Sequence, residues 1–200
     1  MLRTLGVLGG MGPLATASFM NQVIALSPAK NDQEHIPMFI RNIPQIPDRT
    51  KFLMGLEDEN PFFELKKGFK ELTSLGVSCI VIPCNTAHYW YDALTKNADV
   101  HTISIVKSVI KQVKATGKQK VGILATTATL NMGIYQNAFK HHNIDFVEPN
   151  TQQQAAIMDG ITAVKAGDLN KGRHLLSKAY DLMLAQGADC VLFGCTEIPL

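Results

Sequence analysis

No apolar run in this 200-residue chain approaches the ~18 residues that a membrane span requires. Arg3 stands near the N-terminus, but glycines at positions 6, 9, 10 and 12 interrupt any signal-peptide core. Charge is sparse: 18% of residues are charged, 19 Lys plus Arg stand against 17 Asp plus Glu, and the formal net charge is +2. With no basic stripe and no apolar span, neither nucleic acid nor a membrane is an expected partner. Cysteine is limited to four residues, and reduced thiols in a cytoplasmic protein are the simplest reading. What is present is ordinary for a globular protein. At 46% hydrophobic the chain can bury a core in one or two domains.

The four cysteines form two C-x4-C pairs, Cys79 with Cys84 and Cys190 with Cys195. If each pair lies along one strand, five steps of ~3.3 Å separate the thiols by about 16 Å. A disulfide needs Cα atoms within about 7 Å and zinc ligands sit ~2.3 Å from one ion, so neither pair closes locally and no metal is expected. Cys79 and Cys190, inside apolar runs, read as small core residues.

Cys84 and Cys195 read differently. The segment Gly76-Val77-Ser78-Cys79-Ile80-Val81-Ile82-Pro83-Cys84-Asn85-Thr86 aligns without gaps on Gly187-Ala188-Asp189-Cys190-Val191-Leu192-Phe193-Gly194-Cys195-Thr196-Glu197, at a constant offset of 111 residues. Each copy is a buried strand handing over to a helix, with a thiol at the junction. Helix N-termini lower thiol pKa values, so two matched, activated thiols facing one cleft are expected.

In chain order, residues 4–8 form a strand, a Gly-rich turn follows, and Pro13 opens a helix over residues 13–26. A strand over 37–41 leads to an irregular segment, 42–50, where Pro44 and Pro47 forbid regular structure. A helix over 60–75 precedes the first thiol strand, a helix over 86–96 follows it, and a strand near 101–105 leads into a helix over 106–116. At Lys120 the pattern restarts: Lys120-Val121-Gly122-Ile123-Leu124-Ala125-Thr126-Thr127 echoes the first strand and turn, and helices over 158–167 and 169–187 deliver the chain to the second thiol strand. Strands alternating with helices imply parallel sheets, whose ligands bind beyond the strands' carboxyl ends.

The turn Gly9-Gly10-Met11-Gly12-Pro13 is also an anion seat, since glycines before a helix leave backbone N–H groups free. Gly10-Met11-Gly12-Pro13-Leu14-Ala15 satisfies the first half of the dinucleotide fingerprint, but the acids Asp32 and Glu34 precede the next strand instead of ending it. A nucleotide-binding module with incidental thiols is therefore the alternative from another function class. Arg49 fits either a solvated loop residue or a carboxylate clamp held with Gln45 by the stiff proline loop. His88, one helical turn past Cys84, fits either a surface helix residue or a neighbour of the thiol. Glu197 either orients a proton on Cys195 or favours a helix start, and Lys165 complements a helix C-terminus.

Taken together, Gly9-Gly10-Met11-Gly12-Pro13, Pro44-Gln45-Ile46-Pro47-Asp48-Arg49-Thr50, Pro83-Cys84-Asn85-Thr86-Ala87-His88 and Gly194-Cys195-Thr196-Glu197 resemble the aspartate racemase branch of the cofactor-independent aspartate/glutamate racemase superfamily. The glutamate racemases differ, opening with an Asp-Ser-Gly turn and carrying His where this chain has Glu197. The resemblance implies an α/β protein of two pseudo-symmetric flavodoxin-like domains, residues 1–98 and 99–200, with a site in the cleft between them. It implies Cys84 and Cys195 as the two acid/base residues, and Arg49 and Lys165 as partners of substrate carboxylates. Asn85, Thr86, Thr127 and Thr196 would receive the other carboxylate, with Met11, Gln45 and Glu197 completing the binding set. It further implies racemisation of a small dicarboxylic amino acid, with aspartate ahead of glutamate, hydantoin or maleate chemistry, by a cytoplasmic homodimer using no cofactor. Family chains continue with another strand and helix; the sequence ends before them, at Ile198-Pro199-Leu200.

Overall fold

Leu5–Gly9 is apolar on both faces, and the fold uses it so: β1 is a central strand in which Val7 and Leu8 are fully buried. The computed structural model describes residues 3–200. In it β1 pairs in parallel with β2 (Met38–Asn42) on one side and β3 (Cys79–Val81) on the other, and β4 (His101–Ile103) completes the order β2-β1-β3-β4. The expected division at residues 98/99 thus falls before the last strand of the first sheet.

A second parallel sheet has the order β6-β5-β7, with β5 (Lys120–Ala125) flanked by β6 (Asp145–Val147) and β7 (Cys190–Gly194). The alternation of a strand sends Leu124 to one face of β5 and Val121, Ile123 and Ala125 to the other, and each face has its own core.

Between β1 and β2 lies α1 (Pro13–Leu26), and α2 (Arg49–Leu53) and α3 (Phe62–Ser74) separate β2 from β3. After β3 come a 3-10 turn, Thr86–Trp90, and α4 (Tyr91–Thr95). In the second half, α5 (Ile105–Thr116) precedes β5, α6 (Thr127–Asn131) and α7 (Gln136–His141) follow it, and α8 (Thr151–Lys165) and α9 (Leu169–Ala185) lie between β6 and β7. Leu65, Phe69 and Leu72 of α3 cover the first sheet, and α8 and α9 cover one face of the second. The two long helices meet closely because Gly172 has no side chain: a Cβ there would come within 2.4 Å of Val164 Cγ2.

Three expectations change. The segment after the prolines is not irregular throughout, because Asp48 accepts the Lys51 N–H (2.9 Å) and caps α2, so that Arg49 opens a helix. The expected continuous helix over 86–96 is a 3-10 turn followed by the short α4. The second thiol strand is not buried: β7 is a sheet edge, Phe193 is exposed, and Cys79 and Cys190 at the two strand starts are only half-buried.

Among the described residues no helix is long and apolar enough to cross a membrane.

Candidate active site

β3 ends at Val81 and β7 at Gly194, so Cys84 and Cys195 both lie just past strand carboxyl ends, and both are buried. The two thiol loops touch where Thr196 Oγ1 donates to the Pro83 carbonyl at 3.3 Å. Four further bonds cross between the halves here. Gly12 N–H donates to Glu197 Oε1 (2.8 Å), the Tyr135 hydroxyl donates to Asn85 Oδ1, and Thr86 Oγ1 meets Thr126 and Thr129 Oγ1 at 3.0 and 2.9 Å.

The expectation of two thiols lowered by helix N-termini does not hold at Cys195, which is followed by a turn and not by an α-helix. Its Sγ donates to Glu197 Oε2 at 3.0 Å. Burial first, and then the adjacent Glu197 charge, push the Cys195 thiol well above its ordinary value. A thiolate there would face a carboxylate at hydrogen-bond distance, so the proton stays on sulfur.

Glu197 is itself almost wholly buried, 2% exposed. Gly12 N–H, Cys195 Sγ and Thr196 Oγ1 surround its two oxygens. It therefore occupies the anion seat expected of the Gly-rich turn: the backbone donors meet an internal carboxylate, and Gly10 N–H is taken by Thr16 Oγ1 (2.9 Å). Gly10 must be glycine on two counts, φ +98° and the Ile43 backbone 2.3 Å from where a Cβ would stand. With both N–H groups engaged, the turn offers little to a pyrophosphate.

At the matching place after Cys84 stands a hydroxyl. Thr86, Thr126 and Thr129 form a closed ring of three, the third side being Thr126–Thr129 at 2.9 Å. Each hydroxyl can donate to the next, so the ring is satisfied without water.

Beside Glu197 opens a cavity of about 230 Å³ whose charged lining is Asp48, Arg49, Lys165 and Glu197. Arg49 is buried, and its Nη1 donates to the Ile46 and Pro47 carbonyls at 3.0 and 3.1 Å. Its Nε has no partner among the described residues. The proline loop thus aims the guanidinium by holding one nitrogen, and a buried unmet donor is left for an anion. A second cavity of about 340 Å³, between α1 and β7, has a largely apolar wall that includes Phe19, Ile82 and Phe193. No charged side chain lines it, and Asn85 and Thr196, the residues next to the two thiols, are among its polar lining.

Of the residues expected at the site, Arg49, Lys165 and Glu197 line the polar cavity, and Asn85, Thr86 and Thr196 lie in the bonds between the halves. Thr127 bonds instead to α8: its N–H meets Met158 Sδ and its Oγ1 accepts from Gln154 Nε2 at 3.1 Å. Met11 points into the first core and Gln45 is exposed, so neither side chain lines the cavity. Tyr135 and Thr129 were missed by the sequence reading. They lie 40 or more positions from their partners across the cleft, where no local pattern marks them.

His88 is structural. Its Nδ1 bonds the Cys84 carbonyl at 2.8 Å and its Nε2 accepts the Ile105 N–H at 3.0 Å, which fixes a neutral ring joining the thiol loop to α5. Burial lowers its pKa from 6.5 to about 4. The unfolded chain therefore takes up this proton before the folded one does, and stability is lost as pH falls from 6.5 towards 4. The full loss is about 3 kcal/mol. Urea unfolding of the parent and His88→Gln at pH 7.5 and 4 checks this: the parent's advantage should shrink by roughly that amount, and an advantage independent of pH would contradict it.

Comparison with known proteins gives the following. The model of the Asp/Glu/hydantoin racemase family matches residues 8–200. The broad specificity amino-acid racemase RacX of Bacillus subtilis is 30% identical over 202 residues, 97% of this chain and 85% of that protein. A glutamate racemase of Corynebacterium glutamicum is 30% identical over 135 residues, 65% of this chain and 47% of its own length. The solved Picrophilus torridus aspartate racemase superposes with a TM-score of 0.90 at 30% identity, covering 98% of this chain and 82% of that one.

Proposed function

The chain belongs to the Asp/Glu/hydantoin racemase family and is an amino-acid racemase, and we propose that it interconverts L- and D-aspartate with Cys84 and Cys195 as paired bases. One observation carries the reading. Two buried thiols stand at matched strand ends in loops that touch, and Glu197, bonded to Cys195, lines a polar cavity that also holds two cations, Arg49 and Lys165, beside Asp48. Two cations suit a dicarboxylate better than a hydantoin or a neutral amino acid.

In this mechanism a thiolate on one face removes the Cα proton, and the thiol on the other face delivers its own to the carbanion. The nascent negative charge spreads into the adjacent carboxylate, which the site's N–H groups stabilise. After one turnover the two sulfurs have exchanged protonation states, so the enzyme is set for the opposite enantiomer. Glu197 orients and retains the proton on Cys195, which makes the thiols inequivalent at rest.

The test is incubation with L-aspartate in D2O. D-aspartate on chiral chromatography, carrying deuterium at Cα, is expected. Absence of both products would refute the assignment. RacX supports a wider range, since it matches over nearly the whole chain. Glutamate and several neutral amino acids belong in the same assay, and turnover of these at the aspartate rate would favour the broad reading.

Arg49→Lys keeps the charge, but one ammonium cannot hold two loop carbonyls and also present a planar fork. A loss of about tenfold or more in kcat/KM for aspartate is expected, the worth of roughly one charge-assisted hydrogen bond. Parental kinetics in both Arg49→Lys and Arg49→Ala would return this residue to a purely structural role.

A further inference from the structure

Tyr135 carries a hydroxyl into the interior with no need of the fold to explain it. Its side chain is fully buried, and the ring packs against Phe139 in the core of the second half. A phenylalanine would fill that space equally well. Instead the hydroxyl crosses the cleft and donates to Asn85 Oδ1, on the residue next to Cys84. The same ring lies over the residue before Cys195: a Cβ built on Gly194 would stand 3.5 Å from Tyr135 Cε2. One side chain thus touches the neighbours of both thiols.

Asn85 is 3% exposed, it lines the uncharged cavity next to the thiol loops and not the one holding Arg49 and Lys165, and its Nδ2 has no hydrogen-bond partner among the described residues. A buried amide nitrogen left empty is costly, and native interiors rarely leave one so. The Tyr135 bond gives it a direction. With Oδ1 held by the phenol, the two N–H groups must point the other way. Turning the amide over would leave the carbonyl oxygen where Nδ2 now stands, and an acceptor there would repel an anion.

We propose that Tyr135 is a positioning residue for the racemase reaction, locking the Asn85 amide so that Nδ2 presents its N–H groups to a substrate carboxylate. This rests on the aspartate reading given above, and Tyr135 acts only through Asn85. The burial of the hydroxyl between two thiols raises its pKa, so it stays protonated and remains a donor across the working pH range.

The experiment is a double-mutant cycle read by calorimetric binding of succinate, a dicarboxylate that the site can hold without turnover. Tyr135→Phe should weaken succinate about tenfold, a fraction of what a hydrogen bond to a charged group contributes. Asn85→Ala should weaken it at least as much, and adding Tyr135→Phe to it should change nothing further. In the unmodified protein, the side-chain amide protons of Asn85 should shift in the NMR spectrum when succinate is added. A Tyr135→Phe protein that binds like the parent overturns the proposal. So does an effect that persists in the Asn85→Ala background, because the ring would then act by packing, and so does an Asn85 amide signal indifferent to succinate. Failure of aspartate racemisation with the cycle intact would instead overturn the substrate assignment alone.

Discussion

Replacing Cys84 or Cys195 by alanine should abolish racemisation in both directions, a loss of at least about 10³-fold for an acid/base group in direct contact with the reacting carbon. Inversion needs a donor and an acceptor on opposite faces of Cα, so neither thiol alone can complete it. The single variants should nevertheless differ from a dead protein. With one sulfur left, a proton can still be removed from the enantiomer that presents its hydrogen to that side, and returned from the same side. Cys84→Ala and Cys195→Ala should therefore each wash deuterium into one enantiomer of aspartate only, and into opposite ones. NMR of L- and D-aspartate in D2O reads this directly. Near-parental turnover by either variant would end the two-base mechanism, and washout of the same enantiomer by both would place the two sulfurs on one face. Alanine removes a sulfur from a packed position, since both cysteines sit in hydrophobic clusters, so each variant's unfolding curve belongs beside its kinetics.

How much of this was legible in the sequence follows from the range over which each feature is determined. Apart from β6, which was not read, and α8, which begins at Thr151 and not at Met158, the strands and long helices were readable because their signals are local: apolar runs closed by Gly76, Gly117 and Gly187, all at positive φ in the structure. The thiols were readable because the chain repeats itself around them. Short elements were not. The cap that makes α2 a helix was present as Asp48, but two prolines nearby argued louder for a loop. The helix α1 was placed at its true ends, and of its residues only Ala15 and Thr16 are buried. The site itself divides the same way. Arg49, Lys165, Asn85 and Glu197 stood in or beside recognisable stretches. The bonds that arrange them cross the cleft, from Glu197 to Gly12, from Tyr135 to Asn85, and from Thr86 to Thr126 and Thr129, and such pairs have no signature along the chain.

Glu197→Gln tests the least symmetric part of the site. The repeat places Thr86 two residues after Cys84 and Glu197 two residues after Cys195, so the duplicated halves depart from each other where the proton inventory is set. Glutamine keeps the shape and can still accept the Gly12 N–H, so the turn and its bond across the cleft should survive. What changes is charge. The anion that holds the Cys195 proton is replaced by an amide whose N–H can donate to sulfur, which favours the thiolate. Cys195 should then react with iodoacetamide at lower pH than in the parent, its profile moving by about one pH unit or more, equivalent to roughly 1.4 kcal/mol. Peptide mass spectrometry separates this from reaction at Cys84, whose profile should stay put. Racemisation should fall by about a hundredfold, within the usual range for a misplaced acid/base proton, because the proton that Glu197 holds and orients on Cys195 would be retained less firmly. The pH–rate profile should move acid-ward with the alkylation profile, as a proton-inventory effect requires and a loosened fold does not. An unchanged Cys195 profile would mean that burial alone keeps the thiol protonated, with Glu197 serving only to tie the second thiol loop to Gly12.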